Sequence, residues 1–445
     1  MNSLSDNKLF HFYLGILIWA PLPLASNRLW SQSLLCSLVL ALLALVLLQF
    51  SRTNPTPKLS IPLKKSLPLI ALFSLSLVWI SIQSISSLDL SASPTDSRHD
   101  SLLGWSLLAM FCLTLQLVNS KKRILLTGYI LVGSALFQAL YGSLMTFTGY
   151  EFSFFIPKDS YQGVSTGTYI NRNSQAGYLV MCLSLGIGLM ISTLNDERSV
   201  NWRERGRRWL NTLLSKKIIL RISLLIIVAG LVMTHSRMGN TSFFASLMIM
   251  GVIGLLLSKK ATRSMIILLT SLLILDVFVV GTFFGVQKVA DRLQKTSIEK
   301  ESRDEVVRNT IDMMQPQLIA GTGAGTFYTA FPEYRTEDIG GGFYVNTHND
   351  YLEFSSEFGL LGTLPLALAV LASLGAGLYA QYKRRNKLLR GIAFGSSMSI
   401  LAMLIHASVD FNLQMPANAL TFMVILALAW IAVFKRSGKD RLYKN

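Results

Sequence analysis

The sequence predicts an all-α integral membrane protein with about twelve transmembrane helices, and three observations lead to this fold class. Of the 445 residues, 51% are hydrophobic and only 15% are charged, a balance outside the usual range of soluble proteins. Apolar stretches such as "SLLCSLVLALLALVLLQF" and "ALTFMVILALAWIAVF" approach the roughly 20 residues that cross a bilayer. Basic residues cluster in alternate connections between such stretches, as in cytoplasmic loops of membrane proteins.

The predicted spans are distributed along the whole chain, which is expected to form one polytopic domain over 1–445. The first span is the least regular, because Pro21 and Pro23 are expected to kink it. The predicted spans are residues 9–27, 30–50, 67–88, 101–119, 124–148, 175–194, 218–236, 242–258, 264–284, 358–381, 391–410 and 418–434.

The net charge of +17 is explained by membrane orientation. Basic clusters in alternate connections include "KKR" at 121–123, the run at 198–217 and "KRRNKLLR" at 383–390, whereas the connections between them carry few basic residues. This positive-inside pattern places both termini in the cytoplasm. Membrane lipids are therefore expected partners, and nucleic acid is not.

One long segment lies outside the predicted spans, the loop 285–350, which is expected on the periplasmic side between spans nine and ten. Its stretch "SRDEVVRNTIDMMQP" predicts a helix, with Ser302 and Glu305 as a capping box and Pro316 as its end. The apolar positions of this helix are Val306, Ile311 and Met314. The following "GTGAGTF" predicts a tight turn, since it lacks the Lys-Ser/Thr pair of a P-loop.

The stretch "THNDYLEFSSEFGLLG" at 347–362 places titratable residues at the outer edge of a predicted span. Thr347 and Asp350 have T-x-x-D spacing, which predicts a helix that begins at Thr347 with His348 in its first turn. The positive end of a helix disfavours the imidazolium, so His348 is a candidate general base, and a phosphate could dock there. Asn349 and Asp350 are expected to support it. The alternative is an ordinary interfacial histidine.

Two arginines are candidate ligand-binding residues because they lie on the poorly basic outer side, where an arginine at membrane depth needs a partner. Arg237 follows the seventh predicted span, and Arg172 precedes the sixth. An anionic ligand is one candidate partner; a lipid phosphate reached by snorkelling is the other.

The sequence alone does not decide the roles of several other charged residues. Arg303 and Arg308 lie on the predicted loop helix and, taken singly, are typical of solvated surface charges. Asp276 interrupts the ninth predicted span and is a candidate for a proton relay. His406 and Asp410 could pair at i,i+4. The sequence shows no clustered His, Cys or carboxylate spacing typical of a metal site.

Taken together, the motifs resemble those of the O-antigen ligase and O-antigen polymerase superfamily, which are bacterial membrane C-type glycosyltransferases. "THNDYLEFSSEFGLLG" resembles its histidine motif, and "SRMG" resembles its periplasmic arginine motif. "SRDEVVRNTIDMMQPQLIAGTGAGTF" resembles the arginine-containing helix and G-x-G turn of its large loop, and "NRNSQAGYL" resembles an upstream element. The likeness is strongest over roughly 165–365.

This resemblance implies an enzyme of the bacterial inner membrane that transfers a glycan from undecaprenyl diphosphate on the periplasmic side, without a metal or other cofactor. By motif, His348 would take a proton from the acceptor hydroxyl. Arg237 and Arg303 would hold the diphosphate, with Arg172 as a third contact. For the loop arginine, Arg303 is preferred to Arg308.

Several functions stay open from the sequence. A ligase-like enzyme with lipid A–core as acceptor is favoured over a polymerase that joins repeat units and over a pilin glycosyltransferase. A twelve-span secondary transporter is the alternative from another class, but such folds often contain two similar halves, which this sequence lacks. An inactive scaffold is the third class.

Overall fold

The computed structural model describes residues 3–53, 59–193, 216–257, 270–271, 304–336 and 344–436. Within these ranges the chain is predominantly helical. The helices are α1 (Ser3–Trp19), α2 (Leu29–Thr53), α3 (Ile61–Lys65), α4 (Leu67–Gln83), α5 (Pro94–Leu117), α6 (Lys121–Thr148), α7 (Arg172–Ser192), α8 (Lys216–Met233), α9 (Arg237–Leu257), α10 (304–314), α11 (Phe327–Ala330), α12 (Asp350–Lys383), α13 (Lys387–Ala407) and α14 (Pro416–Phe434). A two-stranded hairpin, β1 (Phe152–Ser153) with β2 (Ile156–Pro157), follows α6.

Eight of the described helices are long and apolar enough to cross a membrane, namely α2, α5, α6, α7, α9, α12, α13 and α14. Two apolar helices, α4 and the stretch Ile218–Met233, are shorter. Helix α1 ends at Trp19, and Pro21 and Pro23 lie in the turns that follow it. The prolines therefore end this helix instead of kinking it. The predicted span 264–284, with Asp276, lies outside the described residues.

The centre of the bundle is formed by α7, α13 and α14, whose apolar stretches are almost entirely covered by neighbouring helices. Helices α7 and α13 approach closely through glycine. A Cβ atom at Gly188 would lie 2.2 Å from the Gly391 carbonyl oxygen and 2.8 Å from the Cα of Gly395. Small residues of this kind let membrane helices pack backbone to backbone, and this contact holds the C-terminal end of α7, the end opposite to Arg172, against the start of α13.

The described part of the loop between α9 and α12 confirms a helix, α10, which passes into a 3₁₀ turn containing Pro316. Its buried apolar residues are Val306 and Met313, which pack with Phe327 and Phe331. Ile311 is instead 39% exposed. The predicted apolar face was therefore partly wrong, because a small aromatic cluster, and not the membrane bundle, covers this helix.

Helix α12 breaks at Gly359, and the glycine-rich turn fills the break. Gly359 has φ 61° and ψ −175°, a conformation adopted almost only by glycine. The freed carbonyl groups of Ser356 and Glu357 accept hydrogen bonds from the backbone N–H groups of Thr322 and Gly323, both at 2.9 Å. The predicted tight turn thus anchors the described part of the loop before α12 to the membrane bundle.

We expect Gly359→Ala to destabilise the protein by about 2 kcal/mol or more, because the alanine is strained at this φ and ψ and its Cβ would lie 2.3 Å from the Ile319 carbonyl oxygen. Gly375→Ala is the matched control in the same helix, since a Cβ there meets no atom within 4 Å. Thermal unfolding in detergent measures both. Equal midpoints for the two variants would contradict the anchoring role of Gly359.

Candidate functional site

His348 lies two residues before α12, in a strained backbone conformation. Its φ is 56°, and α12 begins at Asp350 with Asn349 as its N-cap. The Asn349 side chain accepts hydrogen bonds from the backbone N–H groups of Tyr351 and Leu352. The prediction that the helix begins at Thr347, with His348 in its first turn, was therefore wrong. The better cap is an asparagine whose side-chain oxygen reaches two free N–H groups.

Buried carboxyl groups hold the loop around His348. Glu353 accepts hydrogen bonds from the Asn346 side chain at 2.6 Å and from the Thr347 N–H at 2.8 Å. Asp350 Oδ2 accepts from the Leu413 N–H at 3.0 Å. These contacts fix the chain on both sides of His348, which explains how a non-glycine residue keeps a positive φ.

Asp410 faces His348 from the turn after α13. The His348 Nδ1 and Asp410 Oδ1 atoms are 3.6 Å apart, and the imidazole packs edge-on against Phe411 with ring centroids 4.8 Å apart. The Asp410 side chain is 3% exposed, whereas that of His348 is 25% exposed. His406 Nε2 lies 3.8 Å from the other carboxylate oxygen of Asp410. The carboxylate therefore lies between a buried imidazole and an accessible one.

This arrangement suits a general base. A carboxylate facing Nδ1 favours the tautomer with the proton on that atom, which leaves the Nε2 lone pair available for a proton acceptor role. Burial opposes ionisation of Asp410, but its contacts with His348 and His406 outweigh burial and hold the pKa of Asp410 below its usual value. The sequence predicted the pair of His406 with Asp410 and missed the pair with His348, because only the fold brings α12 beside this turn.

We expect the Asp410 carboxylate to stabilise the fold at neutral pH and to lose that contribution in acid. Because the pKa of Asp410 is lowered by folding, its contribution is full above its ordinary pKa, about 4, and is lost as pH falls through the lower folded value. The unfolding midpoint of Asp410→Asn should lie below that of the wild type at pH 6, and the gap should narrow toward pH 3. Asp312→Asn, on an exposed residue, is the control; a constant gap for Asp410→Asn would contradict the linkage.

The two predicted outer arginines each begin a helix, and the two helix starts touch. Arg172 is the first residue of α7, after the N-cap Asn171, and Arg237 is the first residue of α9. A Cβ at Gly239 would lie 2.5 Å from the Cβ of Ala176, so the N-terminal parts of α7 and α9 are in direct contact. Two helix N-termini and two guanidinium groups are favourable for an anion such as a diphosphate.

The N-terminal part of α7 also contacts the segment after Asp410 and the start of α14. A Cβ at Gly177 would lie 2.2 Å from Asn412 Oδ1, and the Asn418 amide donates a hydrogen bond to the Ser174 carbonyl at 2.9 Å. The N-terminus of α7, at Arg172, therefore lies between the N-terminus of α9 and the turn that carries Asp410. The structure brings the two arginine motifs and the histidine motif to one end of the bundle.

The environments of the candidate arginines differ. The Arg172 guanidinium lies over the Tyr161 ring, 5.5 Å from its centroid, and its buried Nε atom has no hydrogen-bond partner. Arg237 is exposed, as is Arg308 on α10. Arg303 lies outside the described residues, so the choice between Arg303 and Arg308 stays a prediction. In the described ranges, no group of three or more His, Cys, Asp or Glu side chains is arranged to hold a metal ion.

Comparison with known proteins finds a family match for one segment of the chain. No curated protein matches the chain. Residues 222–367 match a family model described as O-antigen ligase, and this segment contains Arg237, His348 and the break at Gly359. The family is of the glycosyltransferase type and acts on lipid-linked glycans, in agreement with a multi-pass membrane protein. This match over part of the chain supports its resemblance to the O-antigen ligase and polymerase superfamily.

Proposed function

We propose that this protein transfers a glycan from an undecaprenyl-diphosphate-linked donor to a sugar hydroxyl at the periplasmic face of the bacterial inner membrane. The observation that carries the proposal is the pair of His348 and Asp410, with 3.6 Å between Nδ1 and Oδ1, at the end of the bundle where Arg172 and Arg237 begin adjoining helices. The imidazole and the two helix starts with arginine lie at one end of the bundle, which supports a site where a lipid-linked donor would present its diphosphate.

In the proposed reaction, Nε2 of His348 takes the proton from the acceptor hydroxyl as its oxygen attacks the anomeric carbon of the donor. The bond from that carbon to the diphosphate oxygen breaks, and undecaprenyl diphosphate leaves with the electron pair. Direct attack inverts the anomeric centre. Arg172, Arg237 and Arg303 would stabilise the charge that grows on the leaving diphosphate, the electrostatic role that a metal ion plays in other enzymes.

Asn349 and Asp350 are assigned supporting roles. Asn349 caps α12 and so fixes where the helix begins after His348. Asp350 donates its backbone N–H to the Asp410 carbonyl at 3.1 Å and accepts from Leu413 at 3.0 Å. This double contact sets the distance between the base and its carboxylate partner.

The acceptor distinguishes two functions within the superfamily. A ligase uses lipid A–core, and a polymerase uses a second lipid-linked repeat unit; we favour the ligase and keep the polymerase as the alternative. Purified protein in liposomes, supplied with undecaprenyl-diphosphate-linked glycan, would receive each acceptor in a separate reaction. Glycosylated lipid A–core supports the ligase, and a ladder of longer lipid-linked chains supports the polymerase. No product with either acceptor from folded protein would overturn the proposal and favour the transporter.

A further inference from the structure

The hairpin that follows α6 carries a cluster of exposed aromatic side chains. Phe155 is 82% exposed and Tyr150 is 75% exposed, and Phe147 at the end of α6 is 76% exposed. Every exposed residue from 147 to 157 is uncharged. A cluster of exposed large apolar side chains marks a surface that contacts another protein or a membrane.

The two charged residues of this segment are turned inward. Lys158 Nζ lies 2.7 Å from Glu151 Oε2, and the two side chains are only 3% and 12% exposed. Lys158 also donates a hydrogen bond to the Val164 carbonyl, and Glu151 accepts one from the Gly163 N–H. The ion pair therefore closes the base of the hairpin and leaves the aromatic surface uncharged.

Two phenylalanines form the turn of the hairpin. Ser153 pairs with Ile156, so Phe154 and Phe155 are the turn residues. Phe154 has φ 60°, a conformation for which two-residue turns usually use glycine, asparagine or aspartate. A bulky apolar residue in this strained conformation indicates a role for the turn beyond reversal of the chain.

The hairpin folds back along α6. The Tyr141 hydroxyl lies 3.1 and 3.0 Å from the carbonyl oxygens of Phe152 and Phe154, which share its hydrogen bond. Tyr141 lies two helical turns before the end of α6 at Thr148, roughly 10 Å along the helix axis. The aromatic turn thus lies beside the body of α6 and not beyond its end.

The length of α6 places this turn at a defined depth in a bilayer. The 28 residues of α6 measure about 42 Å along the axis, which is close to the roughly 40–45 Å of a bilayer with its headgroups. The hydrocarbon layer alone is about 30 Å thick. A turn that lies about 10 Å back from the end of the helix is therefore at the boundary between headgroups and hydrocarbon.

The neighbouring face of α6 is an exposed apolar stripe. Its residues recur at the three- and four-residue spacing of one helix face and are 42–76% exposed; they are Phe137, Leu140, Leu144 and Phe147. Such a face on a membrane helix contacts lipid. The Tyr141 ring stacks on that of Phe137, with centroids 5.8 Å apart. The hairpin therefore continues the lipid-facing stripe of α6.

We propose that the hairpin is an interfacial membrane anchor whose aromatic turn inserts into the leaflet at the Arg172 end of the bundle. Phe155 enters the edge of the hydrocarbon layer, and Tyr150 lies at the level of the headgroups, where aromatic residues are enriched. Backbone polar groups at this depth need partners within the protein. The Tyr141 hydroxyl supplies one for the carbonyl groups of the turn.

The anchor is joined to the segment that leads into α7. Ser153 Oγ donates a hydrogen bond to the Tyr169 carbonyl at 2.8 Å, and the Tyr161 ring lies against the Arg172 guanidinium. Lipid contact at the hairpin therefore holds the N-terminus of α7 near the same membrane surface. This role is independent of the proposed glycan transfer.

Spin-label accessibility tests the insertion in the full chain. A nitroxide is attached to Phe155→Cys in nanodiscs that hold one chain each. Its collisions are measured with oxygen, which concentrates in hydrocarbon, and with a nickel chelate, which stays in water. Leu144→Cys is the lipid-facing reference, and Asp159→Cys, on an exposed acidic residue of the same loop, is the water-facing control. The wild type, whose cysteines are buried or half-buried, gives the background labelling.

We expect the label at 155 to lose nickel accessibility relative to the label at 159 and to match the oxygen-to-nickel ratio at 144. Because Phe155 is so exposed, its replacement removes few protein contacts and the variant should fold. Nickel accessibility at 155 equal to that at 159 would overturn the anchor. Low accessibility to both reagents would also overturn it, because the label would then be covered by protein and not by lipid.

Tyr141→Phe tests the contact that folds the hairpin back. Without the hydroxyl, the carbonyl groups of the turn lose their donor, so the label at 155 should shift toward water and gain nickel accessibility. Tyr129→Phe, on an exposed tyrosine of the same helix, is the matched control and should leave the oxygen-to-nickel ratio unchanged. Equal ratios in the two variants would contradict the part of the Tyr141 hydroxyl in the anchor.

Discussion

His348→Ala is expected to lower the rate of glycan transfer by about 10²–10⁴-fold, the usual contribution of a positioned general base. The substitution removes the only accessible imidazole that faces Asp410 among the described residues. Because the His348 side chain is partly exposed, at 25%, the variant should fold and insert normally. Initial rates with a labelled lipid-linked donor in liposomes measure the effect.

His99→Ala is the matched control, since His99 is an exposed histidine in the first turns of α5, outside the histidine motif. Its transfer rate should equal that of the wild type. A His348→Ala enzyme that turns over at the wild-type rate would remove His348 from the chemistry. His348 would then be an ordinary interfacial histidine.

Arg172→Ala and Arg237→Ala are each expected to lower the rate by about 10²–10³-fold, as removal of one positioned donor does in other enzymes. Both residues begin helices whose N-terminal parts touch, so their charges act at the same end of the bundle. Arg→Lys at either position keeps the charge but loses the planar fork that matches a phosphate. It should therefore recover only part of the rate. Steady-state transfer at varied donor concentration measures both effects.

Arg98→Ala is the control for these arginine substitutions. Arg98 is an exposed outer arginine that donates hydrogen bonds to Ser84 and Ser86, remote in sequence from the arginine motifs. A loss of rate in Arg98→Ala equal to that in Arg237→Ala would indicate a general effect of surface charge. The diphosphate role of Arg237 would then lack support.

The membrane helices were predictable from the sequence because long apolar stretches define them almost by themselves. Helix ends were less predictable. Thr347 carries a plausible capping pattern, but its hydroxyl is occupied by contacts with Asn349 and Glu353, so the helix begins later. Tertiary contacts, which the local sequence does not show, decide which of the neighbouring polar residues caps the helix.

The separate motifs of the candidate site were predictable from the sequence, but the contacts between them were not. His348, Arg172 and Arg237 each stood out as polar residues at outer helix ends. The contact of His348 with Asp410 joins residues far apart in the chain, and no local spacing indicates it.

The central claim is that His348 and Asp410 act as one unit, and a double-mutant cycle on glycan transfer tests it most directly. Rates would be measured for the wild type, His348→Ala, Asp410→Asn and the double variant in the same liposomes. If Asp410 acts through the imidazole, Asp410→Asn lowers the wild-type rate but adds nothing once His348 is absent. Losses that multiply in the double variant would show that the two residues act independently and would contradict the proposed base.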